Sequence, residues 1–243
     1  MTYCLAISVD DGLVFASDSR TNAGVDYVTT YSKMHTFVWP GERVCVLLSA
    51  GSLATSQAVV AAIRADLERP DARASLRSGA HLHDVARYVG TLSQKEQQRH
   101  ADAMEKSRIS GEATFILGGQ IEGQSPEIYL IYPQGNCISA SPETPYLQIG
   151  ENKYGKPILD RLIATNTSIE DAARCALVSL DSTVRSNISV GPPLELAIHR
   201  AGQMEKPFHQ KLVLNSPLYR SLQKKWSDGL LRAFQKLPRF DWE

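Results

Sequence analysis

Neither sign of charge is in excess. The 26 Lys and Arg residues balance 26 Asp and Glu, so no net field draws the chain to nucleic acid or to an anionic membrane surface. Cysteine is scarce. Cys4, Cys45, Cys137 and Cys175 are far apart, and three of them lie inside apolar runs, which reads as buried thiols rather than a disulfide framework. Long apolar stretches are missing as well: none approaches the ~18 residues of a membrane span. Asp10 and Asp11 interrupt the first apolar run too early for a signal peptide. The expectation is a cytoplasmic protein with neither nucleic acid nor membrane as partner. No repeat, low-complexity segment or Pro/Gly/Ser-rich linker divides the chain, whose length can bury a sizeable core without disulfide or metal. One domain with a C-terminal extension is expected.

What is present begins with strands. Tyr3, Leu5, Ile7 and Val9 alternate with the smaller Thr2, Cys4, Ala6 and Ser8, and "LVFASDS", "AGVDYVTTYSKMHTFV" and "RVCVLLSAG" continue the β pattern. Leu53, Val60, Ile63 and Leu67 then recur at helical spacing, with Ser52 or Thr55 available at the start. A second helix over roughly 81–106 starts amphipathic and turns very polar, its far half facing solvent or a partner subunit. Strands return in "ATFILGGQI", "EIYLIYPQG" and "CISASPETPYLQIG". Helices follow in "KYGKPILDRLIATN" and "SIEDAARCALVSLDSTVRSN", the latter capped by Ser168 with Asp171, and "PLELAIHRAG" supplies a last strand. The tail reads as a helix interrupted at Gly229, with a docked stripe of Trp226, Leu230, Leu231 and Phe234 and with Phe240 and Trp242 able to reach a neighbour. Helices grouped between β blocks imply an α+β layer structure, and two packed antiparallel sheets with helices outside fit, since "CVLLS" and "TFILGG" read as buried on both faces.

The residue that asks for a chemical reading is Thr2, at the head of the first strand. With Met1 removed, Thr2 would carry a free α-amine of ordinary pKa about 7.7–8, able to take the proton of its own hydroxyl. Such a site needs a cation to bias local pKa values and an acid to hold that cation, for which Lys33 and Asp18 are the candidates. The turn between the first strands sets the geometry. A two-residue Asp11-Gly12 loop would put Asp18 opposite Leu5, on the other face from Thr2. A three-residue Asp10-Asp11-Gly12 loop, which "DDG" suits well, would put it opposite Cys4, on the face of Thr2. The bland alternatives are a strand-end carboxylate capping a turn and a solvent-facing lysine. His81 and His83 could form a metal pair but lack an evident third ligand, and a solvated helix start is the better reading. No histidine has an evident triad arrangement, and Gly118-Gly119 lacks the surroundings of a phosphate loop.

"TYCLAISVDDGLVFASDSRTNAG", the lysine of "YSKMHTF" and "VLLSAGSLATSQ" resemble the proteasome β-type peptidases, which are N-terminal-nucleophile hydrolases. "SDSRTNAGVDYVTTYSKMH", "IGENKYGKPILDR" and "SVGPPLEL" resemble their bacterial Anbu branch. The resemblance covers about 1–215, leaving 216–243 as an extension docked on the domain or on a neighbouring subunit. It implies a four-layer αββα sandwich and amide-bond hydrolysis through an acyl-enzyme on Thr2. Carried over by motif, Thr2 is nucleophile and base, Lys33 lowers the nucleophile's pKa, Asp18 orients Lys33, and Gly51 donates its N–H to the oxyanion. Asp181 resembles a later supporting acid, and Ser186 a supporting serine, at a spacing that departs from the commoner D-x-x-S-G. Glu151, in Gly150-Glu151-Asn152, stands where many members carry a serine between two glycines. The resemblance implies no cofactor, self-assembly into a ring-like or open helical homo-oligomer, and a peptide or unfolded-protein substrate with an ATP-driven unfoldase as a possible partner. Two rival readings are a catalytically silent β-type scaffold and a non-peptide amidase.

Overall fold

A computed structural model describes residues 1–23, 27–69, 71 and 73–242. The chain begins with β1 (Tyr3–Val9), β2 (Gly12–Asp18), β3 (Arg20–Ala23), β4 (Tyr27–Thr30), β5 (Met34–Trp39) and β6 (Arg43–Gly51). The helices α1 (Leu53–Glu68), α2 (Leu82–Arg99) and α3 (Ala101–Ser107) follow. A second β block holds β7 (Ala113–Ile121), β8 (Glu127–Ile131), β9 (Cys137–Ser139) and β10 (Tyr146–Gly150). After α4 (Lys156–Leu162) and α5 (Ile169–Ser186) come β11 (Leu194–Arg200), β12 (Phe208–Leu212) and α6 (Pro217–Gln235).

The strands form two five-stranded antiparallel sheets, ordered β10-β1-β2-β11-β12 and β5-β6-β7-β8-β9, beside a β3–β4 ribbon. Strand alternation distributes β1 between two cores. Tyr3, Leu5, Ile7 and Val9 pack outward against Leu159 of α4 and Ile169, Ala176 and Leu180 of α5. Cys4 and Ala6 point inward and meet Val46, Leu48 and Ile116 of the opposite sheet. On the far side, Val59 and Ile63 of α1 and Val85 and Val89 of α2 cover Leu47, Phe115 and Leu117. The layers are therefore αββα, the proteasome-type N-terminal-nucleophile architecture.

Ser52 caps α1 by accepting the Thr55 N–H at 3.3 Å, and Ser168 caps α5 through the Asp171 N–H at 3.2 Å. Four sequence expectations are corrected. The single helix over 81–106 is broken at His100, where the backbone leaves helical geometry (φ −123°, ψ 10°), so two helices result. The last helix is not interrupted at Gly229; α6 runs through it, since nothing presses on that position. Its stripe is docked only at its start: Trp226 is half-buried and lines a groove with Cys175 and Val178 of α5, whereas Leu230, Leu231 and Phe234 are exposed. Finally, β12 occupies part of what reads as tail. Gly24, Val25 and Asp26, expected within a strand, lie outside the described residues. The buried-thiol reading holds for Cys4, Cys45 and Cys175, while Cys137 is half-exposed; all four are free. Burial pushes the Cys45 thiol up to about 12, so it stays protonated and inert.

Candidate active site

The start of β1 is held from several directions. Tyr3 is fully buried, and its hydroxyl shares a 2.7 Å hydrogen bond with Ser179 Oγ of α5. On the other edge, the Glu151 N–H donates to the Thr2 carbonyl at 2.7 Å. Thr2 is thereby fixed but only half-buried, while Met1 is exposed.

Asp18 ends β2, and the structure corrects its expected register. The turn is neither Asp11-Gly12 nor Asp10-Asp11-Gly12: Val9 pairs with Gly12, leaving Asp10-Asp11 as the loop. Cys4 then faces Ser17, and one step on Asp18 falls beside Tyr3 rather than Cys4. By pleat, Asp18 does not share the Thr2 face. It lies instead at the strand end, where its Oδ1 accepts the Tyr3 N–H at 3.0 Å. Oδ1 also accepts Lys33 Nζ at 2.7 Å, and Oδ2 accepts the Gly191 N–H at 3.2 Å. Burial pushes the Asp18 carboxyl above its ordinary range, while the Lys33 ammonium and the two amides oppose that shift.

Lys33 is likewise buried, which overturns the solvent-facing alternative. It precedes β5, and its carbonyl accepts the Ser49 N–H at 3.0 Å, so the pairing with β6 extends one residue ahead of β5 and fixes the Lys33 backbone. Its ammonium donates to Asp18 and, at 2.6 Å, to the Arg20 carbonyl. One of its three N–H groups has no partner among the described residues. Thr2, Asp18 and Lys33 are thus brought to one corner of the sandwich through Tyr3.

Gly51 closes β6 at φ +100°, with no room for a Cβ, which would lie 2.4 Å from the Glu112 carbonyl. With Ala50, Ser52, Ser110, Glu112, Thr114 and Gly150 it lines a cleft of about 410 Å³. Gly150 sits directly against the Thr2 carbonyl, which puts the cleft beside Thr2.

The remaining candidates separate. Glu151 is buried at this corner, opposite Thr2. Asp181 is buried elsewhere: its Oδ1 accepts the Tyr219 hydroxyl of α6 at 3.0 Å and its Oδ2 accepts Arg185 Nε at 3.1 Å. Those partners tie α5 to α6, and no described hydrogen bond links Asp181 to Thr2. Ser186 is exposed at the end of α5. The next residue, Asn187, reaches the site instead, donating from Nδ2 to Glu151 Oε2 at 3.1 Å. Residue spacing missed Asn187 because the helix end decides which of two adjacent side chains turns inward. The weak signal was an Asn at a predicted helix terminus. His81 starts α2, its N–H donating to Asp84 Oδ2 at 3.1 Å, and among the described residues no group of three or more His, Cys, Asp or Glu could hold a metal ion.

The family model for the proteasome subunit matches residues 2–198. The chain belongs to the proteasome subunit family. Three solved structures are similar over almost the entire length. An Anbu mutant (Gly-1) from Hyphomicrobium sp. strain MC1 is 41% identical, with TM-score 0.92 and coverage of 99% of this chain and 100% of that one. Anbu, described as an ancestral beta-subunit, from Yersinia bercovieri is 40% identical, with TM-score 0.92 and coverage of 99% of both chains. A helical assembly of the Anbu complex from Pseudomonas aeruginosa is 43% identical, with TM-score 0.93 and coverage of 98% of both. No curated protein matches the chain. Among the described residues no helix is long and apolar enough to cross a membrane.

Proposed function

We propose that the chain, once Met1 is removed, is an N-terminal threonine hydrolase of amide bonds in peptides or unfolded proteins. The observation that carries this reading is the buried Lys33–Asp18 pair at 2.7 Å, anchored to the N–H of the residue after Thr2. Thr2 Oγ attacks the substrate carbonyl carbon while the Thr2 α-amine takes the hydroxyl proton. The Lys33 ammonium favours the alkoxide, with Asp18 holding it in place, and the Gly51 N–H stabilises the oxyanion. The C–N bond breaks as the leaving amine takes the proton from the α-ammonium, leaving an ester on Thr2. Water then attacks that ester with the α-amine again as base, releasing the acid and restoring the hydroxyl. The chemistry needs no cofactor. The cytoplasm is the proposed location, since methionine removal during synthesis there would expose Thr2, whose side chain is small.

Self-assembly belongs to the same reading. The similar Pseudomonas aeruginosa structure is a helical assembly, and this chain leaves Leu231, Phe234, Phe240 and Trp242 of its last segment exposed. An open helical or ring-like homo-oligomer would enclose the clefts and limit them to extended chains; an unfoldase would then be a natural supplier of substrate.

The test is the intact mass of protein purified from native cells, before and after a peptide epoxyketone, a warhead that engages both the hydroxyl and the α-amine of a terminal threonine. The expected result is loss of Met1 and one adduct, absent in Thr2→Ala. Uniformly unprocessed and unreactive chains would leave the silent scaffold as the reading. An adduct combined with turnover of small amides but not peptides would indicate the non-peptide amidase.

A further inference from the structure

Hydrolysis as proposed depends on a free Thr2 α-amine, and this further step rests on that reading. The β1–β10 pairing runs from Ile7 with Tyr146 to Tyr3 with Gly150. It continues one residue further, because the Glu151 N–H donates to the Thr2 carbonyl. Gly150, at φ +84°, turns the chain out of the regular pleat there, so the hydrogen bond fixes the Glu151 backbone beside Thr2, and the place of its side chain is given by its partners.

That carboxylate is only 5% exposed and half-satisfied. Asn187 Nδ2 donates to Oε2 at 3.1 Å, and Asn187 Oδ1 accepts the Ser189 N–H at 2.9 Å, which fixes the amide's orientation. Glu151 Oε1 is buried with no hydrogen-bond partner among the described residues. Its cationic neighbour, Lys153 Nζ, is 3.7 Å away on a largely exposed side chain. A buried carboxylate oxygen lacking a donor is costly, so this one marks a place for a cation. Met1 lies there: its Sδ is 4.0 Å from Asn187 Nδ2. Removing Met1 vacates that neighbourhood and creates a new cation on the residue opposite Glu151.

We propose that Glu151, oriented by Asn187, is the acceptor of the Thr2 α-ammonium in the processed chain, and that it tunes the pH at which this amine becomes a base. The other ionisable groups around the corner are Asp18 on β2, Lys33 ahead of β5, the Cys4 thiol on β1, Glu112 across the cleft and Lys153 after Glu151. Arg20 completes the set, its guanidinium donating to the Ile188 carbonyl. Lys33 drives the amine toward its neutral form, whereas Glu151 favours the ammonium; the balance of these opposite charges sets the working pH. Both Glu151 and Asn187 act as positioning residues.

The test is competitive acetylation of the Met1-free chain with trace acetic anhydride between pH 5 and pH 10, read by mass spectrometry on the N-terminal peptide. This measures the α-amine pKa whether or not the protein hydrolyses anything. Glu151→Gln is expected to lower that pKa by about one unit, with Asn187→Ala moving it the same way by less. Where turnover is measurable, the acid limb of kcat/KM should move down in parallel. An amine pKa unchanged in both variants would overturn the inference, and if Glu151→Gln does not fold, Asn187→Ala alone decides. A shift without turnover keeps this pairing and removes the hydrolase reading; turnover without a shift does the reverse.

Discussion

Gly150 stands at φ +84°, and a Cβ there would lie 1.9 Å from the Thr2 carbonyl oxygen. Both the dihedral and the contact exclude a side chain, and the contact is with backbone that cannot swing aside. Gly150→Ala must therefore shift Thr2, Glu151 or both. The expected loss is about 1–3 kcal/mol, seen in urea unfolding, with epoxyketone labelling of the processed chain slowed at least tenfold. Retention of wild-type labelling would separate the position of Thr2 from that contact. Asp18 and Lys33 illustrate a different residue-scale logic. Taking one member of a buried ion pair away leaves an uncompensated charge, typically costing about 3–5 kcal/mol. Their pairing was legible from residue type and order, because a terminal threonine proposed as nucleophile needs a cation held by an acid. The actual donors to Asp18, the amides of Tyr3 and Gly191, were not legible, because backbone groups carry no sequence label.

At the scale of elements, period-two alternation correctly assigned β1, since both its faces are buried in different cores. The register was not legible: "DDG" is compatible with several turns, and a shift of one residue in the loop moves every cross-strand neighbour. The short β12 was missed because three of its five residues are exposed, so no apolar pattern announces it. Between the two sheets, His199 of β11 and Gln120 of β7 form a buried cross-layer contact, Nε2 to Oε1 at 3.0 Å. Gln120 Oε1 also accepts the Gly202 N–H, so the imidazole must supply the proton on Nε2. Burial holds His199 below its ordinary pKa of about 6.5. The unfolded chain therefore binds a proton that the folded chain refuses, and stability is complete above that value but falls as pH drops below it. Denaturant midpoints at pH 7.5 and 5.5 should show this loss, at most roughly 1.4 kcal/mol per pH unit for the one group. The loss should be smaller in His199→Gln, which keeps a donor but cannot titrate. An equal loss in the variant would assign the acid sensitivity elsewhere.

At the scale of the whole molecule, the boundary near residue 216 cuts through packed structure. Tyr219 of α6 is fully buried, joins the core made by β1 and α5, and donates its hydroxyl to the buried Asp181. From Leu230 onward the large apolar residues of the tail are exposed. Truncation after Leu214 should destabilise by several kcal/mol, combining about 2–3 kcal/mol of lost tyrosine burial with about 1–3 kcal/mol for depriving Asp181 of a donor. Truncation after Gln235 should leave the unfolding midpoint unchanged. Equal midpoints for both truncations would make the whole extension separable, as its place at the end of the sequence suggests.

The sequence by itself determined the family and the layer order and nominated Thr2, Asp18 and Lys33 as the candidate set, because these rest on local pattern and on residue chemistry that order along the chain preserves. Only the tertiary structure decided which neighbours those residues have. Glu151 meets Thr2 because β10 pairs with the edge of β1 far along the chain, and Asn187 meets Glu151 because α5 ends where it does. Asp181 turns to α6 for the same kind of reason. Contacts of this sort depend on register and helix length, where a change of one residue redirects a side chain, and nothing in residue type alone fixes that count.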